Sequence, residues 1–165
     1  MSPGPVAVTL RPECSQDESF IRNLILETIA GELGASAWPE PMRSHLLGVQ
    51  YAGRRQSFRL TFPEAASYVI ESGGIAAGWA VVTDLPQEMF LVEIMVSREC
   101  RNRGIGSAVI RQLAADAAAH RKPVRLTVNA MNSAAIRLYE RLGFHRTGGD
   151  EVRYLMECAV SSSSL

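Results

Sequence analysis

The sequence predicts a mixed α+β domain: a central, mostly antiparallel sheet of six to seven strands with a parallel pair in its middle, flanked by about four helices. Two local patterns carry this. Met89 to Val96 reads as a strand, Gly104 to His120 as a helix and Val124 to Asn129 as another strand. A strand-helix-strand unit pairs its strands in parallel. Earlier in the chain, Ala66 to Glu71 and Ile75 to Thr83 are β-prone runs joined by Ser72-Gly73-Gly74, a hairpin turn that makes its strands antiparallel. A parallel pair beside an antiparallel meander is not a doubly wound sheet.

The bulk properties fit this picture. At 165 residues the chain suits one domain, residues 1–160, with a disordered serine-rich tail over 161–165. Seventeen basic residues balance seventeen acidic ones, so no global field favours nucleic acid or an anionic membrane. No apolar run is long enough to cross a bilayer. Cys14, Cys100 and Cys158 are odd in number and lack metal-ligand spacing. With no signal-peptide pattern, the expected location is the cytoplasm, and no metal is expected.

Val6 to Pro12 is a short strand stopped by Pro12. Ser15 and Glu18 suit a capping box. Ile21, Leu24, Ile25, Thr28 and Ile29 recur at helical spacing, and Gly31 and Gly34 end that helix. Pro39 and Pro41 exclude a clean helix around Trp38. A second helix fits Arg43 to Arg59, with Leu46, Leu47, Val49 and Tyr51 on its apolar side, although Phe58, Leu60 and Phe62 alternate as in a strand before Pro63. Gly78 inside a strand points to a bulge or a close backbone approach. In the central strand, Phe90, Val92, Ile94 and Val96 alternate.

The following helix carries Ile105, Val109 and Leu113, runs through an alanine-rich stretch and ends at Pro123. Asn132 or Ser133 caps the last helix, whose packed stripe is Ala135, Leu138, Tyr139 and Leu142, with Gly143 as its left-handed stop. Phe144 to Thr147 and Val152 to Glu157 form a closing hairpin.

The chemistry concentrates after the central strand, at Arg101-x-x-Gly104-x-Gly106. The first N–H groups of a helix lack intrahelical partners, and the helix dipole adds positive charge there. Glycines let a ligand approach the backbone, and Arg101 and Arg103 add full charge. This is a seat for a phosphate or pyrophosphate. The sequence lacks the lysine of a P-loop and the G-x-G-x-x-G spacing of dinucleotide folds.

Together with Asn132-Ser133-Ala134-Ala135-Ile136-Arg137-Leu138-Tyr139-Glu140-Arg141-Leu142-Gly143-Phe144, this loop resembles the two signatures of the GNAT superfamily of N-acetyltransferases, in the same order. The resemblance implies a GNAT-like fold whose parallel pair splays, and a protein that binds acetyl-CoA as co-substrate. It implies a donor site built from the backbone of Ile94, Met95 and Val96, the loop Arg101, Asn102, Arg103, Gly104, Ile105, Gly106 and Ser107, and Asn132. It also implies that Tyr139 protonates the departing thiolate.

Glu93, the acid in an otherwise apolar strand, is the candidate base for the amine, on the face opposite Ile94; Glu71 and Glu88 are weaker alternatives. The resemblance implies that residues 35–63 line one wall of the acceptor site, which makes Trp38, Tyr51, Arg54, Arg55, Phe58 and Phe62 candidates for acceptor contact. Two positions depart from the family pattern: Arg98 replaces a common proline, and Asn129 a common acid. The expected activity is transfer of acetyl to a primary amine, small-molecule or peptide, by direct attack. The alternative is a non-catalytic acyl-CoA sensor of the same fold. The family commonly forms dimers, so the resemblance admits a homodimer.

Overall fold

In a computed structural model, which describes residues 4–160, seven strands form one sheet. They are β1 (Thr9–Pro12), β2 (Ala66–Ser72), β3 (Ile75–Asp84), β4 (Met89–Val96), β5 (Val124–Asn129), β6 (His145–Gly149) and β7 (Arg153–Cys158). The helices are α1 (Glu18–Leu33), α2 (Met42–Thr61), α3 (Ile105–Ala119) and α4 (Ser133–Arg141). The sheet order is β1-β2-β3-β4-β5-β7-β6, and β4–β5 is its parallel pair. The expected mixed sheet is therefore present. The expectation for residues 161–165 lies outside the described residues.

Two cores cover opposite faces. Ile105, Val109, Ile110 and Leu113 of α3, with Tyr139 of α4, pack on Leu91, Leu126, Val128 and Met156. Ile21, Leu24, Ile25 and Ile29 of α1, with Leu47 of α2, pack on Val69, Trp79, Val81 and Met95. The α1–α2 layer thus covers the β2–β4 half, and no β5 or β7 residue belongs to its core. Among the described residues no helix is long and apolar enough to cross a membrane.

Several local expectations need correction. The cap ahead of α1 is not Ser15 with Glu18: the Asp17 carboxylate accepts from the Cys14 amide at 2.8 Å and pairs with Arg11 at 2.9 Å. Gly31 lies inside α1, and Gly34, at φ +62°, ends it. Strand β1 begins only at Thr9, while Val6 and Val8 pack against the α3 core. The alternation at Phe58 to Phe62 belongs to the last turn of α2, where Phe58 stands over Trp79 and Phe62 stacks on Phe90. Residues four apart share a helix face, so tertiary packing decides the segment. In α4, Ile136 joins the core with Ala135 and Leu142.

Trp79 ties the β2–β3 half to α2. It is fully buried, and its indole N–H donates to Ser67 Oγ at 2.6 Å. Ser67 in turn donates to Glu13, and Arg55 lies over the indole.

Gly78 marks the tightest approach in the sheet. It stands opposite Val96, and a Cβ there would lie 2.3 Å from the Met95 carbonyl oxygen. Any side chain forces β3 and β4 apart. Gly78→Ala should lower stability by about 1–3 kcal/mol, read as a fall in Tm of about 2–4 °C per kcal/mol in thermal unfolding. An unchanged Tm would show that β4 can yield at this point.

Candidate active site

β4 is bonded differently on its two sides. Toward β3 the ladder runs its full length, but with a bulge: Val82 pairs with Leu91 and Val81 with Glu93, leaving Val92 without a partner. Toward β5 only Met89, Phe90 and Leu91 pair, with Val124, Arg125 and Leu126. Both strands continue without pairing, to Val96 and Asn129. A bulge bends its strand and increases local twist, and here it coincides with the end of the parallel ladder. The result is a gap between β4 and β5.

The bulge also resets which way side chains point. Leu91, Ile94 and Val96 face the α3–α4 core, whereas Val92 and Met95 face the α1–α2 core. Phe90, Val92, Ile94 and Val96 therefore do not share one face, as unbroken alternation would require. Glu93 lies opposite Ile94, at the border of the α1–α2 layer.

The amide of Ser97 donates to Ala77 at 2.8 Å. In an antiparallel ladder alternate residues turn their polar groups to the same neighbour, so Met95 also faces β3 while Ile94 and Val96 face the gap. The main chain of Met95 is thus committed to the sheet, contrary to its expected place beside a ligand. On the gap edge, the Ile94 amide donates to Glu93 Oε1 at 3.1 Å, and the Val96 carbonyl accepts from Arg101 Nε at 3.0 Å.

Beyond Val96 a short 3₁₀ turn, Arg98–Cys100, leads into the glycine loop. Asn102 at φ +59° and Gly104 at φ +79° are both left-handed, and Gly104 is the N-cap of α3. Among the described residues no side chain caps this helix. The amides of Asn102, Arg103, Gly104, Ile105, Gly106 and Ser107 have no acceptor among the described residues; the first bond is Ala108 to Gly104 at 3.0 Å. Arg101 to Gly104 are exposed, and open space surrounds the position of a Cβ on Gly106. Six successive free donors at a helix N-terminus suit an oxyanion.

α4 begins differently. Asn132 Oδ1 accepts from the Ala135 amide at 3.2 Å, so the side-chain oxygen is used as a cap and only its NH₂ remains free. Seven residues on, Tyr139 is 9% exposed and packs against Phe144, ring centroids 5.7 Å apart. Its hydroxyl has no hydrogen-bond partner among the described residues and is not sealed from solvent. Burial first, and the charge of Glu93 second, push its pKa up to about 12. At neutral pH it is a phenol that can donate a proton.

Glu93 carries the complementary shift. Burial pushes its pKa up to about 7, against the opposing pull of Arg54 and of the Ile94 amide. Near neutrality it can accept a proton. Of the alternatives, Glu71 is paired with Arg11 at 2.9 Å and Glu88 with Arg125 at 2.7 Å. Cys100 packs against the α3 core.

The acceptor candidates separate. Arg54, paired with Glu32 at 2.7 Å, lies within electrostatic reach of Glu93, and Phe62 sits on Phe90 of the same strand. Arg55 pairs with Glu13, and Arg22 lies over Tyr51. Trp38 and Phe58 pack on the α1–α2 core. Arg153, which also reaches Glu93 electrostatically, is a site neighbour that sequence reasoning missed. Only the register of β7 against β5, Asn129 opposite Arg153, brings it there.

A groove of about 700 Å³ lies along α1 and includes neither Glu93 nor Tyr139. It reaches Arg43, Leu47 and Ser97, and Arg43 Nε is buried there with no partner among the described residues. Among the described residues no group of three or more His, Cys, Asp or Glu is placed to hold a metal ion.

No curated protein matches the sequence. The PaiA N-acetyltransferase of Thermoplasma acidophilum, solved with coenzyme A, has the same fold at TM-score 0.69 and 14% identity, over 93% of this chain and 99% of that one. The ribosomal-protein-S18-alanine N-acetyltransferase of Escherichia coli aligns at TM-score 0.65 and 20% identity, over 96% and 97%. The spermidine N-acetyltransferase of Vibrio cholerae, solved with CoA and spermine, aligns at 0.62 and 16%, over 91% and 92%. The acetyltransferase (GNAT) family matches residues 28–144, which span the free-amide loop, the gap and Tyr139, and the chain belongs to that family.

Proposed function

We propose that this acetyltransferase moves the acetyl group of acetyl-CoA directly to a primary amine, with Tyr139 as proton donor to the leaving thiolate and Glu93 as base. The carrying observation is the joining of a loop of free amides to an unzipped strand edge, with an acid of raised pKa and a protonated phenol at its far end.

Each residue has a part in this reading. The amides of Asn102 to Ser107, with Arg101 and Arg103, take the pyrophosphate. Ile94 and Val96 offer main-chain groups to the pantetheine arm lying in the gap, and the Asn132 NH₂ meets it from α4. Met95 supports the strand from its β3 side. When bound, acetyl-CoA supplies the activated thioester. Nitrogen attacks the thioester carbon, the C–S bond breaks, Tyr139 protonates sulfur, and the amine's proton passes to Glu93 directly or through water. A sensor that only binds acyl-CoA would not need a protonated phenol and a near-neutral carboxyl at one place.

Three measurements test this. Gly106→Asp puts a negative charge among the free amides at a helical position with room for a side chain. Acetyl-CoA affinity in calorimetry should fall about 100-fold or more with Tm maintained; unchanged affinity moves the donor site elsewhere. Gly104→Asp is less clean, because Gly104 is left-handed.

Tyr139→Phe should lower kcat about 100-fold and leave acetyl-CoA affinity nearly as it was. Equal kcat would reduce Tyr139 to packing.

Glu93 makes turnover and stability respond oppositely to pH. As base it must be ionised, so kcat/KM should fall as pH drops below about 7. Its folded pKa lies above its unfolded value, so its contribution to stability is present at low pH and lost as pH rises through 7. Glu93→Gln should cut turnover, remove this limb of the profile, and raise Tm at pH 8 but not at pH 4. A solvent-facing glutamate would change neither.

A further inference from the structure

We infer that the acceptor carries a carboxylate beside its amine, with Arg153 binding the carboxylate and Glu93 receiving the ammonium end. This rests on the acetyltransferase reading above and names the acceptor class for the same site.

The argument begins with the uncovered half of the sheet. Leu126 and Val128 of β5, and Tyr154 and Met156 of β7, point to the α3–α4 core. Alternation sends Thr127, Asn129, Arg153 and Leu155 to the other face. That is the face of Glu93, and α1 and α2 do not extend over it. Thr127, Asn129 and Arg153 are exposed there. The open floor adjoins the gap on the side away from α4, where an acceptor can reach a thioester delivered through the gap.

The charges on this floor are nearly all paired. Arg125 binds Glu88 at 2.7 Å and Glu157 at 2.6 Å. Arg54 binds Glu32 at 2.7 Å. The Asp150 carboxylate accepts from the Val152 and Arg153 amides at 2.8 and 2.9 Å. Asp150 is held by backbone amides alone, and among the described residues of the open strands Glu93 and Arg153 have no ion-pair partner. They are opposite in sign, and they flank β5.

Spacing fits a small zwitterion. Neighbouring strands lie ~4.8 Å apart, so β4 and β7 are roughly 10 Å apart across β5, before the splay adds to it. A glutamate and an arginine reaching inward leave room for a molecule of amino-acid size. A polyamine would place a second cation against Arg153, with the nearby Glu32 already taken by Arg54. Thr127 and Asn129 line the floor between the two charges.

The test is acetyl-CoA-dependent release of CoA thiol across the twenty amino acids and their carboxamides, with spermidine for comparison. At least one amino acid should be used about tenfold better in kcat/KM than its amide, chiefly through KM. Arg153→Gln should bring that ratio near one, and Arg153→Lys should restore part of it. Equal use of acid and amide, better use of spermidine, or a ratio indifferent to Arg153→Gln would each overturn the inference.

Calorimetry of the same pairs on the CoA-bound protein separates the two readings. Arg153-dependent preference in binding without any turnover keeps the carboxylate site and removes the enzyme assignment. Turnover without preference does the reverse. Neither binding nor turnover removes both.

Discussion

The site depends on β4 being held hard on one side and released on the other. Toward β3, Gly78 lets the Met95 carbonyl come closer than any side chain would permit, and the ladder persists to Val96. Toward β5, pairing stops after Leu91, at the bulge. A buried strand edge without partners is ordinarily costly, and the fold tolerates it here by temporary satisfaction. Glu93 accepts from the Ile94 amide and Arg101 donates to the Val96 carbonyl. Both are side chains, and both can swing away when a ligand offers equivalent bonds. The gap is thus part of the sheet's own geometry, and a ligand lying in it would spend little ordering energy on binding.

The two helices on that face show the same division of labour. α4 is capped by Asn132, as a structural helix should be. α3 begins at a left-handed glycine and, among the described residues, has no capping side chain and leaves six amides free. A missing cap costs a helix about 1 kcal/mol, and α3 offsets this by burying Ile105, Val109, Ile110 and Leu113 against the sheet. The stability of α3 comes from its apolar side, which leaves its N-terminus available for binding.

The elements legible in the sequence are those set by local chemistry. The Gly73-Gly74 turn, the left-handed stop at Gly143 and the Asn132 cap each follow from what one or two residues can do, and each stands where expected. Glu93 stands out as the acid of an apolar strand and Tyr139 through the family resemblance, and the fold brings the two within electrostatic reach of each other. What was hidden depends on contacts distant in sequence. Val92 is as good a strand residue as its neighbours, and nothing in its chemistry announces a bulge. Met95 looks equivalent to Ile94 and Val96 until the register with Trp79 turns its main chain away. Arg153 is an anonymous arginine until β7 pairs with β5 and carries it to the open floor. Phe58 and Phe62 read equally well as strand or helix, and only Trp79 and Phe90 decide.

The bulge explains why a carboxyl can sit where it does. Leu91 faces the α3–α4 core. Unbroken alternation from Leu91 would send Glu93 to that same face, into a cluster containing Ile105, Val109 and Leu126, where a carboxyl without a strong partner is hard to accommodate. The extra residue at Val92 turns Glu93 through to the border of the opposite layer, with Arg54 and Arg153 within electrostatic reach and part of its surface open. Burial there raises its pKa to about 7 rather than excluding its charge altogether. One inserted residue therefore marks the point where the pairing of β4 with β5 ends, and it sets the acid beside the gap. In the proposed reaction neither feature would be useful alone, since a gap without Glu93 would lack its base and Glu93 without the gap would face no thioester. Deleting Val92 would make Glu93 the residue after Leu91, so the carboxyl would keep its face while β4 regained regular pairing with β3, which separates the position of the acid from the parting of the strands.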